Sequence, residues 1–178
     1  MKIIFATNNP NKLAEIQNAL GDDFDLVSLK DIGFEGEIPE TGRTLEANSL
    51  QKATFIFDRY KVPVFADDTG LEVACLNGLP GVDTAHYSGS RDADANMQKL
   101  LSETRFHEDR SAAFRTVIAF ITDMDKKLFS GEIQGHIAKA KSGKEGFGYD
   151  PVFVPEGETR TFAEMNMEEK KQKNHRVR

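Results

Sequence analysis

The sequence predicts an α/β fold on a mixed β-sheet with flanking helices, and three observations carry that reading. Through residues 1–104, apolar runs of strand length alternate with segments of helical period, the pattern of βαβ units. Residues 112–122 and 127–137 are then two long alternating runs around Asp123-Met124-Asp125, which reads as an antiparallel hairpin and makes the sheet mixed. Two chemically suggestive motifs also begin where a predicted strand ends, and open α/β sheets form their sites at the carboxyl ends of strands.

The elements follow in order. Residues 2–6 read as a short buried strand. Residues 11–20 read as a helix with Leu13, Ile16 and Leu20 on one face and Gly21 as its stop. Residues 24–29 alternate as a second strand. Residues 30–43 hold Gly33, Gly36, Pro39 and Gly42 and form a loop carrying Glu35, Glu37 and Glu40. Thr44 is placed to cap a helix reaching Tyr60, with Leu45, Ala53, Ile56 and Tyr60 apolar and Thr44, Asn48 and Lys52 spaced i, i+4, i+8 on one polar strip. Residues 62–66 and 71–76 read as two strands separated by Asp67-Asp68-Thr69-Gly70, and residues 77–81 as a turn. Residues 93–104 read as a helix, 139–148 as a loop, 151–154 as a strand and 163–173 as a charged helix.

A chain of 178 residues is long enough for a sizeable core, and a single domain over residues 1–178 is expected. No apolar run approaches the ~18 residues of a membrane span, and the apolar start is too short for a signal peptide, so a cytoplasmic protein with no membrane partner is expected. The formal charge of −6 opposes binding to a nucleic-acid backbone. The single cysteine, Cys75, sits in an apolar run and reads as a reduced core residue. His86, His107, His136 and His175 show no zinc-site spacing.

Three stretches carry chemistry. Thr7-Asn8-Asn9-Pro10-Asn11-Lys12 joins a strand to a helix start, where backbone N–H groups and a lysine attract an anion; the alternative is an Asn-rich helix cap. Asp67-Asp68 sets two carboxylates side by side, which suits a hard divalent cation such as Mg²⁺, with Glu40 as a further oxygen ligand; the alternative is a turn cap beside a solvated acid. Lys52 can point a cation at phosphates. Phe147, between Gly146 and Gly148, offers an aromatic face to a base, or is a core residue in a tight turn. Residues 170–178 form a basic cluster that fits a solvated helix end. Asp68-Thr69-Gly70 also matches the aspartic-protease signature, a rival that the alternating α/β pattern disfavours, and a non-hydrolysing nucleotide sensor is a second rival.

Taken jointly, Ala6 to Lys12, Glu40-Thr41-Gly42, Glu46-Ala47-Asn48, Lys52-Ala53, Ala66 to Leu71, Gly78-Leu79-Pro80-Gly81, Gly146 to Pro151, Glu168-Glu169-Lys170 and His175-Arg176 resemble the Ham1-like inosine triphosphate pyrophosphatase family along nearly the whole chain. The resemblance implies an elongated mixed sheet with two lobes around a central cleft, a homodimer, and Mg²⁺-dependent hydrolysis of the deaminated purine nucleoside triphosphates ITP, dITP and XTP to monophosphate and pyrophosphate. It implies that Thr7, Asn8, Asn9, Pro10, Asn11 and Lys12 hold the triphosphate. Glu40 and Asp68 would bind Mg²⁺, with Asp68 also the base toward water, and Thr69 would contact substrate. Phe147, Gly148, Tyr149, Asp150, Lys170, Asn174, His175 and Arg176 would surround base and sugar. Asn174 stands where the family usually has Ser, and the family pattern continues into a further helix beyond the position of Arg178.

Overall fold

The computed structural model describes residues 2–173. Its elements are β1 (Lys2–Phe5), α1 (Pro10–Leu20), β2 (Asp25–Val27), α2 (Leu45–Tyr60), β3 (Val64–Val73), β4 (Pro80–Gly81), α3 (Ala93–Thr104), β5 (Ser111–Ile121), β6 (Lys126–Ile137), β7 (Phe153–Pro155) and α4 (Met167–Lys173). The strands form one mixed sheet of order β2-β1-β3-β5-β6-β7, with β4 paired to β3. β1 runs parallel to β2 and to β3, while β3–β4 and β6–β7 are antiparallel. The chain divides into two compact units, residues 1–68 with 116–130 and residues 69–115 with 131–178.

In the first unit, strand alternation sorts side chains between the two sheet faces. Ile3, Phe5 and Phe65 point to one face and pack with Leu13, Ile16 and Leu20 of α1. Ile4, Ala6, Val64 and Ala66 point to the other and pack with Ala53 and Ile56 of α2. Both helices start on side-chain caps. Asn9 accepts from the amides of Asn11 and Lys12 at 3.0 and 3.3 Å, with Pro10 opening α1. Thr44 accepts from the Ala47 amide at 3.1 Å at the start of α2.

The second unit has its own core. Leu71, Val73, Met97, Leu100, Phe114, Ile133, Ile137, Phe153 and Phe162 are buried together, with the Phe114 and Phe153 rings 4.6 Å apart. Cys75 is half-buried and packs against this core rather than lying within it. The Arg110 guanidinium donates to the carbonyls of Thr104, Ile137 and Ala138 at 2.6, 2.8 and 2.7 Å, which ties the end of α3 to the end of β6.

Two boundaries differ from the sequence reading. The strands expected at 62–66 and 71–76 are one ten-residue strand, β3, and Asp67-Asp68-Thr69-Gly70 lies inside it rather than in a connection beyond its end. Polar residues are tolerated mid-strand here because alternation sends Asp67 and Asp68 toward different partners, described below. The helix expected over 163–173 is a 3₁₀ turn at Phe162–Glu164 followed by α4. Each piece carries its own capping box. Thr161 N donates to Glu164 Oε2 at 2.7 Å, and Asn166 N donates to Glu169 Oε2 at 3.0 Å while Glu169 N donates back to Asn166 Oδ1 at 2.9 Å. Met165 between them is extended, at φ −106° and ψ 146°.

Candidate active site

In the first unit, β3, the two helices and the acidic loop bring five charged side chains together. Asp67 is 1% exposed and its Oδ2 accepts from Lys12 Nζ, in the first turn of α1, at 2.9 Å. Lys52, on α2, donates from Nζ to the Asp67 carbonyl at 2.7 Å, pairs with the Glu40 carboxylate, and lies 3.9 Å from Asp68 Oδ1. The helix strip of Asn48 and Lys52 is therefore buried against carboxylates and not a solvated face. Three carboxylates against two ammonium groups leave the cluster with a formal charge of −1. Burial holds the Asp68 carboxyl above its ordinary value, opposed by Lys52, by Lys12 and by a hydrogen bond from Asn48, and reinforced by Glu40.

The sequence reading of residues 7–12 as a cradle of amides is only partly matched by this geometry. Thr7 Oγ1 accepts the Asn9 amide at 3.1 Å, and the Asn11 and Lys12 amides are already taken by Asn9. Asn8 Nδ2 donates to the Gly36 carbonyl at 3.0 Å, which fastens the acidic loop. The Lys12 ammonium lies at the positive end of the α1 dipole, where it is paired with Asp67.

No group of three or more histidine, cysteine or acidic side chains among the described residues forms a preformed metal cage. The donor set does fit Mg²⁺, which is typically held by one or two carboxylates together with substrate phosphates rather than by an all-protein shell. Glu40 and Asp68, both beside Lys52, supply such a pair of hard oxygen donors.

The second unit holds the other candidates. Thr69 is its first residue and half-buried. In the loop before β7, Asp150 Oδ2 accepts from the Phe147 amide at 3.0 Å and from Lys170 Nζ, on α4, at 2.5 Å. Both partners of that ion pair are under 10% exposed, at 7% and 8%. Lys170 Nζ also lies 4.9 Å from the centre of the half-buried Phe147 ring and 5.6 Å from that of Phe162. Gly146 has φ +75°, and a Cβ there would stand 2.1 Å from Asp150 Oδ2, so only glycine allows the carboxylate to close this loop. Tyr149 is 5% exposed and donates its hydroxyl to the Thr84 carbonyl at 2.7 Å, with burial pushing the phenol up; it builds the loop from inside. Asn174, His175 and Arg176 lie outside the described residues.

The buried Lys170–Asp150 pair was not legible in the sequence, where Lys170 belongs to a basic cluster that reads as solvated. A pair twenty residues apart leaves no local signal. Its removal has a definite expected outcome. Lys170→Met leaves a buried carboxylate without its cation and should cost about 3–5 kcal/mol in urea denaturation. The double variant Lys170→Met/Asp150→Asn should recover much of that loss. Equal stability of the parent and Lys170→Met would show that the pair is immaterial to the fold.

The mixed sheet with flanking helices defines an α/β protein whose carboxylate–lysine cluster lies against β3. The chain belongs to the Ham1 family, whose model matches residues 3–178. It is 52% identical over 178 residues to the dITP/XTP pyrophosphatase of Porphyromonas gingivalis, covering 99% of this chain and 92% of that protein. It is 40% identical over 179 residues to the dITP/XTP pyrophosphatase of Bacillus subtilis, covering 98% and 90%. The solved structure of the Staphylococcus aureus Ham1 protein superposes with a TM-score of 0.88 at 36% identity, covering 99% of this chain and 92% of that one.

Proposed function

We propose that this protein is a Mg²⁺-dependent pyrophosphatase that hydrolyses deaminated purine nucleoside triphosphates, ITP, dITP and XTP, to the monophosphate and pyrophosphate. The observation that carries the reading is the cluster of Lys12 and Lys52 with Glu40, Asp67 and Asp68 in a chain whose relatives bear the name dITP/XTP pyrophosphatase. Its formal charge of −1 has no surplus to neutralise a triphosphate, which supports a divalent cation acting alongside the lysines.

Glu40 and Asp68 would hold Mg²⁺, which supplies Lewis-acid stabilisation of charge on the phosphate oxygens. Asp68 orients a water toward the α-phosphorus and takes its proton. The new bond joins the water oxygen to that phosphorus. The bond from the α-phosphorus to the bridging oxygen breaks, and its electron pair leaves with pyrophosphate. Lys12 and Lys52 neutralise the growing charge on the leaving group. Thr7 to Lys12 receive the phosphates, with Asn9 and Thr7 holding the loop and Lys12 supplying charge, and Thr69 touches substrate. Phe147 stacks on the base and Lys170 faces its oxo edge. Gly148 and Asp150 shape that surface, and Asn174, His175 and Arg176 complete base recognition.

The test is pyrophosphate release from ITP with Mg²⁺ and with EDTA. Release in Mg²⁺ and its loss in EDTA, restored by added Mg²⁺, is expected. Unchanged hydrolysis in EDTA would refute the metal requirement.

No helix among the described residues is long and apolar enough to cross a membrane, and the proposed compartment is the cytoplasm. The proposed assembly is a homodimer, and β6 supports it. Among the described residues this strand pairs with β7 only at Gly135, His136 and Ile137, while residues 126–130 before that stretch are exposed. Phe129 there is 54% exposed and Leu128 48%. An antiparallel second copy centred on Phe129 sets Lys126 opposite Glu132 twice, a self-complementary pairing of an open edge. Phe129→Lys should sediment as a monomer where the parent sediments as a dimer. A parent that is monomeric, or a variant that remains dimeric, contradicts this surface.

A further inference from the structure

Glu40 reaches the cluster from a long connection, residues 28–44 between β2 and α2, much of it exposed. Loops of this length with no helix or strand of their own are uncommon and are usually functional or disordered. The two residues after Glu40 are fastened to α2 by amide side chains. Thr41 N donates to Gln51 Oε1 at 2.9 Å, and Gln51 Nε2 donates back to Thr41 Oγ1 at 2.9 Å. Gly42 N donates to Asn48 Oδ1 at 2.7 Å. A Cβ on Gly42 would stand 2.7 Å from that same oxygen, so the close approach exists because residue 42 has no side chain.

The Asn48 amide is 5% exposed, and its orientation follows from its partners. A backbone N–H can only donate, so Asn48 must present its oxygen to Gly42. The hydrogen bond it makes to the Asp68 carboxyl is then donated by Nδ2. One buried amide thus touches both the loop that carries Glu40 and the carboxylate of Asp68.

We infer that Asn48 and Gln51 are positioning residues that fix the separation of Glu40 and Asp68 and so set the affinity for the divalent cation. This rests on the assignment of those two carboxylates as the metal-holding pair. Gln51 locks Thr41, next to Glu40, through one backbone and one side-chain bond, and Asn48 links the Gly42 backbone to Asp68. Neither touches the metal or the substrate. Outer partners of this kind typically change metal affinity about 10–100-fold when removed.

The experiment uses four variants of the whole chain: Gln51→Ala, Asn48→Asp, Glu40→Gln and Asp68→Asn. Asn48→Asp keeps an acceptor for the Gly42 amide and removes the donor to Asp68. Three quantities are read: Mn²⁺ binding by electron paramagnetic resonance with the α,β-imido analogue of ITP present, the Mg²⁺ activation constant against the nucleotide KM at saturating metal, and amide hydrogen exchange at Thr41 and Gly42. Gln51→Ala should weaken Mn²⁺ binding about 10–100-fold. It should speed exchange at Thr41 and leave the nucleotide KM at saturating metal within about twofold, because uniform substrate binding is untouched. Asn48→Asp should weaken Mn²⁺ binding to a similar degree while Gly42 exchange stays slow. Mn²⁺ binding weakened by Glu40→Gln and Asp68→Asn but unchanged in Gln51→Ala and Asn48→Asp overturns this inference alone. Binding unchanged in all four overturns the metal assignment and the inference with it.

Discussion

Asp68→Asn is expected to lower kcat/KM for ITP by about 10²–10⁴-fold, the range for a lost general base, with further loss from the removed metal charge. The same substitution should raise the stability of the metal-free protein at neutral pH. Burial holds the Asp68 carboxyl above its ordinary value, so folding disfavours the ionised form. That cost is absent below the unfolded carboxyl's pKa and is complete once pH exceeds the raised folded value. Asp68→Asn should therefore melt above the parent at about pH 7 and lose that advantage near about pH 3. Thermal melts at the two pH values, with steady-state kinetics alongside, separate the outcomes. An inactive variant that is also less stable at neutral pH would point to a damaged fold instead of a missing base. Activity within tenfold of the parent would remove Asp68 from the mechanism.

ITP and XTP are expected to exceed ATP in kcat/KM by at least about a hundredfold. A site built to donate to a 6-oxo group can discriminate by ~10⁴, because adenine's 6-amino group leaves the donor unpaired, whereas shape alone gives about 10–200-fold. Lys170, buried against Asp150, is a donor held in a fixed place. With the base placed as proposed, its cation would have to give up its ion pair and the Phe147 and Phe162 ring faces to withdraw from a mismatched base. Stacking on Phe147 is nearly blind to base identity, so Phe147→Ala should weaken all nucleotides by about 1–3 kcal/mol and keep their ratios. GTP should also be poor, since its 2-amino group needs room and an acceptor. Changes at His175 or Arg176 should narrow the ITP/ATP ratio. Comparable hydrolysis of ATP and ITP would refute this account of the base site without touching the reaction type.

What the sequence disclosed follows the range of the forces involved. The apolar faces of α1 and α2 and the Thr44 cap are set by residues within a turn or two, so periodicity and cap chemistry located them. The alternation of Ile3, Ile4, Phe5 and Ala6 between two helices is likewise written in one strand. Asp67-Asp68-Thr69-Gly70 looked like a break because short polar residues and glycine favour turns. Pairing and burial kept β3 continuous, because Lys12 partners Asp67 and Lys52 lies near Asp68 from different helices. The interruption at Met165 was readable in principle, since Thr161-Phe162-Ala163-Glu164 and Asn166-Met167-Glu168-Glu169 are successive capping boxes.

Of the candidate site, residue types were legible and pairings were not. Lys12, Lys52, Glu40 and Asp68 were singled out as charges suited to phosphates and a metal, and the structure brings them together in the first unit. The sequence offered Asp67 as half of a metal-suited carboxylate pair or else as a turn cap, gave Tyr149 as a substrate contact and left Gln51 unnoticed. Asp67 is the buried partner of Lys12, and the Tyr149 hydroxyl is bound to the Thr84 carbonyl. Gln51 lies three residues after Asn48, so both reach the same side of α2, a spacing that marks it only once the loop at Thr41 is known to lie there.

The most direct test of the central claim is the fate of solvent oxygen during hydrolysis of ITP in H₂¹⁸O with Mg²⁺, read by ³¹P NMR and mass spectrometry. Inosine monophosphate and pyrophosphate are expected as the phosphorus products, with ¹⁸O in the monophosphate and none in the pyrophosphate. Release of orthophosphate with inosine diphosphate, or ¹⁸O in the pyrophosphate, would place the attack away from the α-phosphorus and contradict it.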